Sequence, residues 1–388
     1  MNDTGNRYLV ITELFLPTKG GTAVWFDEIY RRLGGKNIHI ITADVPGADK
    51  HDCQHPNAIC RLQLRRYRWI RPESLVMYAK FLLASLAAGL RHRFDAVHAG
   101  RVLPEGLVAW VVARLIRRPL VIYSHGEELT TWRQAAKMLV MIWTYRHADL
   151  IIANSEFTRD ELINLGVAPS KIALLYPGVD VERFRPGQPH GDLDAAIGLA
   201  PGQRLIVSVG RLSRRKGFDQ VIRALPLLVR RGLDVRYVVI GIGEDWDYLR
   251  SLALEMNVSE RVHFLGHVSP DDLPRWYNAA DVVTMPNREI AGDTEGFGMV
   301  FLEAAACAKP TVAGMAGGTG SAVIDGVTGL RVDGESTGAV ADALSRLIEN
   351  PALAAELGAN GYRRAVGDFS WYRVAEKTRG FHAALNCR

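Results

Sequence analysis

The stretch RLIVSVGRLSRRKGFDQVIRALPLLV, from Arg204 to Val229, joins a short apolar run to a basic loop and then to a segment with helical spacing. An apolar, β-branched run of this length predicts a parallel strand that is buried on both faces. The same succession of strand, loop and helix recurs along the chain. Repeated alternation of this kind predicts an α/β fold with doubly wound, parallel sheets.

Strand-like runs occur in two series, one in each half of the chain. They are RYLVIT, IHIITA, AVHAG, LVIYSHG and LIIANS, and then RLIVSV, VRYVVIGIG, VHFLG, ADVVTMP, PTVAG and GLRVD. Between the series, the proline-rich stretch Tyr176–Ala196 predicts an interdomain linker. A chain of 388 residues also exceeds what one hydrophobic core usually serves. We therefore predict two Rossmann-like domains, 1–185 and 186–369, that face each other across a cleft.

The two ends of the chain and its longest apolar stretch bear on where the protein works. The amphipathic carboxyl-terminal segment, about 370–388, is expected to pack back onto the first domain. The longest apolar stretch, LVMYAKFLLASLAAGL, contains Lys80 and, at about 16 residues, is too short to span a bilayer. The amino-terminus lacks the basic and then apolar pattern of a signal peptide. We expect a cytoplasmic protein, and peripheral attachment to the inner face of the membrane is compatible with this pattern.

Charge is unevenly distributed along the chain. The formal net charge is +5, but residues 1–190 carry 25 Lys and Arg against 18 Asp and Glu. Between Arg61 and Arg101, nine basic residues face only Glu73 and Asp95. This excess predicts an anionic partner for the first domain, such as a membrane surface or a phosphate group, although a solvated arginine-rich face gives the same pattern. No recognisable nucleic-acid-binding module accompanies it.

The four cysteines form no CxxC pair, which favours a reducing compartment. The stretch HDCQHPNAIC brings His51, Cys53, His55 and Cys60 close together in sequence. Their spacing fits no zinc template that we can name, and the stretch has the composition of a loop. We therefore predict no metal site.

Two loops are candidates for binding phosphate. In the first, GRLSRRKGFD, Arg211 and Lys216 follow a strand and precede a helix, where cations and backbone N–H groups can receive a diphosphate. Arg214 and Arg215 are expected to be solvated. The second loop has Gly20 and Gly21 before the first helix, without the GxxxxGK[ST] of a P-loop. An ordinary solvated loop and an ordinary βα turn remain the alternatives.

Two other features are weaker. Gly241 and Gly243 follow a strand, but Trp246 stands where a dinucleotide-binding fingerprint has its third glycine. We therefore do not predict NAD. His125, in SHGEE, lies at a strand end and could donate a hydrogen bond to a ligand, or could be structural.

The stretch EGFGMVFLEAAA, from Glu295 to Ala306, carries two carboxylates around a glycine-flanked phenylalanine. Its composition places Glu295 in a loop and Glu303 in the first turns of a helix. Gly296 and Gly298 leave backbone N–H groups accessible at the positive end of that helix. Such an arrangement suits a ligand with hydroxyls on both sides of a phosphate, and a nucleotide-sugar has that form.

These motifs, taken in order, resemble those of the family 4 retaining glycosyltransferases, which have the GT-B fold. The EGFGMVFLE stretch resembles their Glu-x7-Glu motif, GRLSRRKG their phosphate-binding Arg-x4-Lys, and SHGEE their first-domain histidine. The glycine pair at 20–21 and YPGVDVERFRP also resemble family signatures. Within the family, EGFGMVFLEA and SHGEE are most similar to the enzymes that mannosylate phosphatidylinositol.

The resemblance implies a role for each of these residues. Arg211 and Lys216 would neutralise the leaving diphosphate, and Glu303 would hold the ribose hydroxyls. Glu295 would hold the sugar, which His125 would contact from the first domain. The remaining residues implied in donor or acceptor binding, mainly through their backbone, are Gly20, Gly21, Gly210, Val268, Phe297, Gly298, Met299 and Val300.

The resemblance also implies the chemistry. A hexose would pass from a GDP- or UDP-sugar to a lipid-linked, glycan or small-molecule acceptor, with no metal or other cofactor, in cell-envelope glycan or glycolipid biosynthesis. The leaving phosphate would take the acceptor's proton. An NDP-sugar 2-epimerase or hydrolase and a non-catalytic nucleotide-sugar-binding protein are the alternatives. One departure from the family is Ser321, which stands where relatives have the acid of Gly-Gly-x-x-Glu.

Overall fold

The computed structural model describes residues 7–64, 75–132 and 134–386. The chain divides into two compact units, one of Met1–Pro177 with Trp371–Arg388 and one of Gly178–Ser370.

The division between the units falls after Pro177, whereas the sequence analysis expects it after residue 185. Val179 explains the difference, because its N–H donates to Phe369 O at 2.8 Å and it forms a β-bridge with Ser370. Both partners belong to the second unit. The stretch predicted as a linker also contains a helix, Gly191–Ala196.

Seven parallel strands form the sheet of the first unit, in the order β3-β2-β1-β4-β5-β6-β7. They are β1 Tyr8–Ile11, β2 Ile38–Ala43, β3 Ala58–Leu62, β4 Ala96–Ala99, β5 Leu120–Ser124, β6 Leu150–Ala153 and β7 Ile172–Leu174. The central strands are buried throughout, as their apolar sequences predict. Helices follow the strands: α1 Gly21–Tyr30, α2 Ala48–Asp52, α3 Leu75–Arg91, α4 Leu107–Ile116, α5 Glu127–Thr131, α6 Ala135–Arg146 and α7 Glu156–Asn164.

Six parallel strands form the sheet of the second unit, in the order β10-β9-β8-β11-β12-β13. They are β8 Arg204–Val209, β9 Val235–Ile240, β10 Val262–Gly266, β11 Val282–Met285, β12 Thr311–Gly314 and β13 Leu330–Val332. The helices are α8 Gly191–Ala196, α9 Phe218–Arg230, α10 Trp246–Glu255, α11 Leu273–Ala279, α12 Met299–Ala306, α13 Thr319–Ala322, α14 Thr337–Glu349 and α15 Pro351–Asp368. In both sheets the strand order reverses beside the first strand of the unit, and such switch points are where open α/β sheets bind ligands.

The last helix, α16 Trp371–Asn386, belongs to the first unit. The His382 ring lies 4.5 Å from the Tyr8 ring and 4.6 Å from the His98 ring, measured between centroids. The Arg32 guanidinium lies 5.1 Å from the Tyr372 ring centroid. Helix α16 therefore closes the core of the first unit with residues that are distant in sequence.

The predicted α/β fold with two doubly wound parallel sheets is confirmed, but two strands are missing from the prediction. The stretch HDCQHPNAIC, expected to be a loop, contains the end of α2 and the start of β3. β3 and β7 are the edge strands of their sheet and are only partly buried. Arg61 interrupts the apolar run of β3, and β7 is only three residues long, so neither resembles the longer apolar runs by which most other strands were recognised.

Among the described residues, we find no helix that is both long and apolar enough to cross a membrane.

Candidate functional site

The basic loop after β8 packs against the end of β11. Lys216 ends a 3-10 turn, Arg214–Lys216, and Gly217 caps α9 with φ +76°. A Cβ atom at Gly217 would lie 2.1 Å from Pro286 O, so only glycine permits this approach. The approach brings the cations of the loop to the segment that contains Glu295.

Glu295 accepts hydrogen bonds from two cations of this loop. Its Oε2 is bonded to Lys216 Nζ, and to Arg215 Nη1 at 2.8 Å. Arg215 Nε lies 3.1 Å from Asp293 Oδ2, and its side chain is 18% exposed. The expectation that Arg215 is solvated is therefore wrong, because two carboxylates hold its guanidinium inside the site.

The protonation state of Glu295 follows from this environment. Burial alone would raise its pKa, but the charges of Lys216 and Arg215 and their hydrogen bonds lower the pKa to about 2. Glu295 is therefore ionised at neutral pH. It can accept hydrogen bonds from hydroxyl groups and balance cations, but it carries no proton for general acid catalysis.

Arg211 and Arg214 have other partners. The Arg211 side chain is 74% exposed, and its Nε lies 3.0 Å from Glu244 Oε2. Arg214 Nε lies 3.3 Å from Asp245 Oδ2, and its guanidinium lies 3.7 Å from the Tyr248 ring centroid. Arg214 was expected to be solvated, but its guanidinium contacts both Asp245 and Tyr248. Because an exposed ion pair is weak, Arg211 can exchange Glu244 for a ligand phosphate at little cost.

The glycines after β8 and β9 are required by close packing. A Cβ atom at Gly241 would lie 1.8 Å from Gly210 O, and one at Gly243 would lie 2.3 Å from Leu212 O. Gly210 and Gly241 also have positive φ, +154° and +142°. This contact between two loops explains the Gly-x-Gly pattern without a bound dinucleotide.

Arg288 and Asp219 anchor the loop that follows β11, and neither was singled out in the sequence. The Arg288 guanidinium donates to both Asp219 carboxylate oxygens, at 3.1 and 2.8 Å, and both residues are buried. Arg288 N also donates to Arg215 O at 2.8 Å. This bidentate pair ties the loop to the start of α9 and fixes the backbone of Arg215. No local sequence signal predicts a pair 69 residues apart.

The start of α12 presents backbone groups. Gly298 caps the helix with φ +93°, and Met299 and Val300 are its first two residues. The N–H groups of a helix's first turn have no acceptor within the helix. The Phe297 side chain is buried and packs edge-on against the Phe369 ring at 6.2 Å. Phe297 can therefore contact a ligand only through its backbone, as expected from the sequence.

Glu303 lies one turn into α12, as predicted, and is hydrogen-bonded to a residue that the sequence analysis missed. Tyr277 OH, from α11, donates to Glu303 Oε2 at 2.6 Å. Burial raises the pKa of Glu303 to about 6, against the opposing effects of this hydrogen bond and of the Arg183 charge. The second carboxylate oxygen remains as an acceptor for a ligand hydroxyl.

Two glycines before α13 support the backbone of Glu295. Gly318 N donates to Glu295 O at 2.7 Å, and a Cβ atom at Gly317 would lie 2.3 Å from the same oxygen. Ser321 follows in α13 and is buried, and its carbonyl oxygen accepts from Arg364 Nη2 at 2.9 Å. The glycine pair is thus accounted for, but nothing in the structure explains the serine.

Val268 lies just after β10, half-buried at the carboxyl end of that strand.

In the first unit, His125 directly follows β5 and is buried. Its Nε2 lies 2.8 Å from Gly100 O and donates to that carbonyl. Burial lowers the pKa of His125, which keeps the ring neutral at pH 7. The ring proton therefore goes to Gly100. Donation from His125 to a ligand, which was one of the two roles considered from the sequence, does not fit this hydrogen bond. In a neutral ring the remaining nitrogen, Nδ1, is a hydrogen-bond acceptor.

Glu128, in α5, holds the backbone of His125 and was not predicted. Its Oε1 accepts from His125 N at 2.9 Å, Ser124 Oγ at 2.9 Å and Tyr145 OH at 2.8 Å. All four residues are buried. This network fixes the turn after β5 and therefore the position of the His125 ring.

Gly20 and Gly21 lie at the start of α1, and both are exposed. Gly20 has φ +133°, and a Cβ atom there would meet nothing within 4 Å. The backbone conformation, and not crowding, therefore requires this glycine, and the space beside it is open to a ligand.

Glu105 is a titratable group that the sequence analysis missed. It follows β4, is fully buried, and its Oε1 accepts from Glu13 N at 3.0 Å. Burial raises the pKa of Glu105 to about 7. Because it has no exposed surface, it cannot touch a substrate without rearrangement of the loops after β1 and β4.

The basic stretch between Arg61 and Arg101 lies partly outside the described residues, which exclude 65–74 and its four arginines. Arg61 does not belong to a solvated face. Its guanidinium donates to Asp52 at 2.9 and 2.7 Å.

Two family models match the chain. The model described as Glycosyl transferases group 1 covers residues 192–364, and the model described as Glycosyltransferase Family 4 covers residues 19–183. Together they cover parts of both units.

Two groups of curated relatives are similar over most of the chain. A GDP-mannose-dependent alpha-(1-6)-phosphatidylinositol monomannoside mannosyltransferase of Mycobacterium tuberculosis is 33% identical over 97% of this chain and 98% of its own. A D-inositol 3-phosphate glycosyltransferase of Actinosynnema mirum is 36% identical over 88% of this chain and 81% of its own.

Two solved structures have a similar fold. The Anabaena protein HepE, in complex with UDP, has a TM-score of 0.82 and 21% identity, over 97% of this chain and 100% of that one. The sucrose-phosphate synthase of Thermosynechococcus elongatus has a TM-score of 0.81 and 23% identity, over 98% of this chain and 99% of that one.

Proposed function

Because the chain belongs to the glycosyltransferase family that these two models describe and has the GT-B fold, we propose that it transfers a hexose from a nucleoside diphosphate sugar, with retention of configuration and without a bound metal. The observation that carries the proposal is the convergence of Lys216 and Arg215 on Glu295. The three residues lie at the carboxyl ends of β8 and β11, which are neighbours in the sheet. That edge is where an α/β sheet binds an anionic ligand.

The cations of this cluster are suited to a leaving diphosphate. Lys216 and Arg215 are oriented toward one point by Glu295 and Asp293, so they need little reorganisation to meet a phosphate. Arg211 is exposed and can add a third positive charge. Side-chain charge of this kind can stabilise the leaving group without a metal ion.

The two carboxylates accept hydrogen bonds from the hydroxyl groups of the donor. Glu295, a carboxylate at neutral pH, accepts hydrogen bonds from the sugar, together with the backbone at 297–300. Glu303 accepts from the ribose, and the turn at Val268 meets the base. In the first unit, His125 Nδ1 is the ring nitrogen available to accept a hydrogen bond from a sugar hydroxyl. The orientation of that ring is set by Gly100 O.

The protonation states favour transfer over the alternatives. An epimerase or hydrolase needs a group that exchanges protons near pH 7 beside the reacting carbon. Glu295 is held ionised, and His125 is neutral with its Nε2 proton on a carbonyl. Glu303, with a pKa of about 6, is assigned to the ribose and not to the reacting carbon. In the proposed step the bond from the anomeric carbon to phosphate breaks as the bond to the acceptor oxygen forms. The departing phosphate oxygen receives the acceptor's proton on the same face of the sugar.

The curated relatives point to a donor and an acceptor. We propose GDP-mannose as donor, because the mycobacterial relative is named as GDP-mannose-dependent and matches this chain over nearly its whole length. We propose an acceptor that carries an inositol phosphate group, since both relatives are named for such a compound. A lipid-linked form is consistent with Leu83 and Leu90 of α3, which are 68% and 89% exposed.

The first test is a titration of the purified protein with GDP and UDP in EDTA, followed by assays with their sugars. The acceptors are inositol phosphate and phosphatidylinositol vesicles. We expect micromolar binding of GDP and an α-linked product from GDP-mannose. Binding without a transferred sugar on any acceptor supports the binding-protein alternative, and conversion of the donor alone supports the epimerase or hydrolase. Absence of binding by either diphosphate overturns the site.

A variant separates sugar binding from diphosphate binding. Glu295→Gln should lower kcat/KM by about 100-fold or more, because an interaction with the reacting sugar is lost. The same change frees Lys216 and Arg215, so affinity for GDP should be unchanged or tighter. Asp293→Asn, which removes only the outer carboxylate on Arg215, is the matched control and should have a smaller effect. An equal loss of transfer and GDP affinity in Glu295→Gln would sink the role proposed for this residue.

A further inference from the structure

Three side chains from separate elements meet in the first unit. Asp27 belongs to α1, His51 to α2, and His55 to the turn before β3. His51 Nε2 lies 2.7 Å and His55 Nε2 lies 3.2 Å from Asp27 Oδ1. The three ligand-type atoms all lie within 4.8 Å of one another. One carboxylate oxygen therefore faces two imidazole nitrogens at a single point.

The cluster is buried and bounded by an apolar wall. Asp27 is 1% and His55 is 3% exposed, and the His51 side chain is 17% exposed. The Phe15 ring stands edge-on to both imidazoles, with centroids 5.8 Å from His51 and 5.4 Å from His55. His55 Nε2 meets Asp27 Oδ1 at 3.2 Å, but among the described residues it makes no hydrogen bond of good geometry. A buried polar atom without a hydrogen bond is costly unless something else satisfies it.

Outer contacts orient the ligand atoms. His51 Nδ1 lies 2.9 Å from Asp52 Oδ1, and Arg61 holds Asp52 through two hydrogen bonds. Asp52 holds a proton on Nδ1, so a metal ion would replace the proton by which Nε2 now faces Asp27 Oδ1 at 2.7 Å, an arrangement typical of metal-bound histidine. Arg31 Nε lies 3.2 Å from Asp27 Oδ2, which leaves Oδ1 to face the histidines.

We propose that Asp27 Oδ1, His51 Nε2 and His55 Nε2 bind one divalent transition-metal ion, for which zinc is the best match. Two imidazoles and one carboxylate are ligands that zinc accepts at about 2.0–2.2 Å, with a fourth position for water. His51 is the most exposed of the three, so water can reach the site from its side. Coordination requires the His55 proton on Nδ1, so the 3.3 Å contact from Asn57 N to that atom is given up.

The site differs from the cysteine–histidine set visible in the sequence. Cys53 and Cys60 are exposed, and neither belongs to the cluster. The third ligand, Asp27, lies 24 residues before His51, on another helix. The prediction of no metal site considered only residues that are close in sequence.

The metal would have a structural role beside the glycine loop. Arg61, which holds Asp52, also donates to Ala43 O at 3.0 Å and to Leu16 O at 2.6 Å. Leu16 lies in the loop that leads from β1 to Gly20. A metal that fixes His51 would therefore stiffen the support of that loop without taking part in sugar transfer.

The test uses the full chain after removal of metal with dipicolinate, a chelator of zinc and cobalt. One equivalent of Co²⁺ should give absorption bands between about 500 and 650 nm, which a nitrogen- and oxygen-ligated tetrahedral cobalt ion produces and added Zn²⁺ abolishes. Zinc should also raise the thermal midpoint. Absence of cobalt bands in the wild-type protein overturns the proposal, since it would leave the cluster as a metal-free hydrogen-bonded network.

Variants assign the ligands. His51→Gln and His55→Gln should lose the cobalt bands, and Asp52→Asn should weaken Co²⁺ binding by about 10- to 100-fold. Cys53→Ser, Cys60→Ser and His92→Gln should leave the bands unchanged, with circular dichroism confirming that each variant is folded. Bands that survive in both histidine-to-glutamine variants, or that disappear in a cysteine variant, would refute this ligand set. Transfer activity is not the readout, so the result is independent of the proposed donor and acceptor.

Discussion

At the residue scale, two adjacent arginines provide a direct comparison. Arg215 lies between Asp293 and Glu295, whereas Arg214 lies against Asp245 and Tyr248. If Arg215 meets the donor diphosphate, Arg215→Gln should weaken GDP binding about tenfold or more. A hydrogen bond to a charged group is worth about 1.5–3 kcal/mol, which corresponds to at least that factor. Titration calorimetry measures the change.

Arg214→Gln is the matched control for this experiment, because it removes the same charge one position away. Its affinity for GDP should change by about threefold at most, as expected for a charge that meets no phosphate directly. If both variants weaken GDP binding equally, the diphosphate responds to the net charge of the loop and Arg215 has no specific role.

Glu303 should give nucleotide binding a pH dependence. Burial raises the pKa of this carboxyl to about 6, so folding favours its protonated form, and its contribution to stability is lost as pH rises from about 4.5 through 6. Binding of ribose hydroxyls needs the carboxylate, of which about a tenth is present at pH 5. GDP affinity should therefore fall about tenfold between pH 7 and pH 5.

Glu303→Gln isolates this effect. The terminal phosphate of GDP titrates in the same range, but it does so equally with both proteins. Calorimetric titrations at several pH values should show a shallower slope for the variant. Parallel slopes for the variant and the wild type would mean that Glu303 does not accept from the ligand as a carboxylate.

The sequence identifies candidate site residues more readily than it identifies their partners. Arg211, Lys216 and Glu303 were singled out because their types and spacing follow a strand or open a helix. Arg215 and Tyr277 were not, because their partners lie 80 and 26 residues away. Which of several neighbouring cations turns inward depends on the packing of two loops, and that packing has no local pattern.

At the scale of elements, the approach of two loops depends on Gly217. Its φ is +76°, and a Cβ atom would lie 2.1 Å from Pro286 O, a backbone atom that cannot turn away. Gly217→Ala therefore adds a steric clash to backbone strain. We expect the free energy of unfolding to fall by about 2–4 kcal/mol, since each contribution is typically about 1–2 kcal/mol or more. Urea unfolding followed by circular dichroism measures the loss.

Gly232→Ala separates strain from crowding. Gly232 follows α9 with φ +83°, but a Cβ atom there would meet nothing within 4 Å. The substitution should cost about 1–2 kcal/mol, from backbone strain alone. If Gly217→Ala costs no more than Gly232→Ala, the close approach to Pro286 is not important for stability.

Elements were predicted well where burial is complete. The central strands of both sheets are buried on both faces, and their apolar runs mark them in the sequence. The edge strands β3 and β7 were missed, because Arg61 interrupts the apolar run of β3 and β7 is only three residues long. β3 is held in part by pairing with β2, from His39 with Ala58 to Ala43 with Leu62, which composition alone does not reveal.

At the scale of the whole molecule, the chain leaves the first unit and returns to it. The alternation of strands and helices predicts two sheets, but the unit boundary depends on Val179, whose partners lie about 190 residues later. The returning helix α16 brings His382 against the first strand, beside Tyr8 and His98. Long-range closure of this kind leaves only an amphipathic pattern in the sequence.

Closure by α16 should make the first unit sensitive to acid. Burial lowers the pKa of His382 to about 4, and neither ring nitrogen has a hydrogen-bond partner among the described residues. An unfolded chain accepts a proton on this histidine near its usual pKa of about 6.5, whereas the folded chain does not. The stability that the neutral ring provides is complete above about pH 6.5 and falls as pH drops toward 4.

His382→Leu removes this proton and keeps an apolar side chain in place. The drop in thermal midpoint between pH 7.5 and pH 5 should be smaller in the variant than in the wild type. His98, whose pKa burial also lowers well below its usual value, should retain part of the drop. His267→Gln, at an exposed position in the second unit, is the control and should keep the full drop. If the thermal midpoint of His382→Leu falls as far between pH 7.5 and pH 5 as that of the wild type, protonation at the α16 interface is not the source of acid sensitivity.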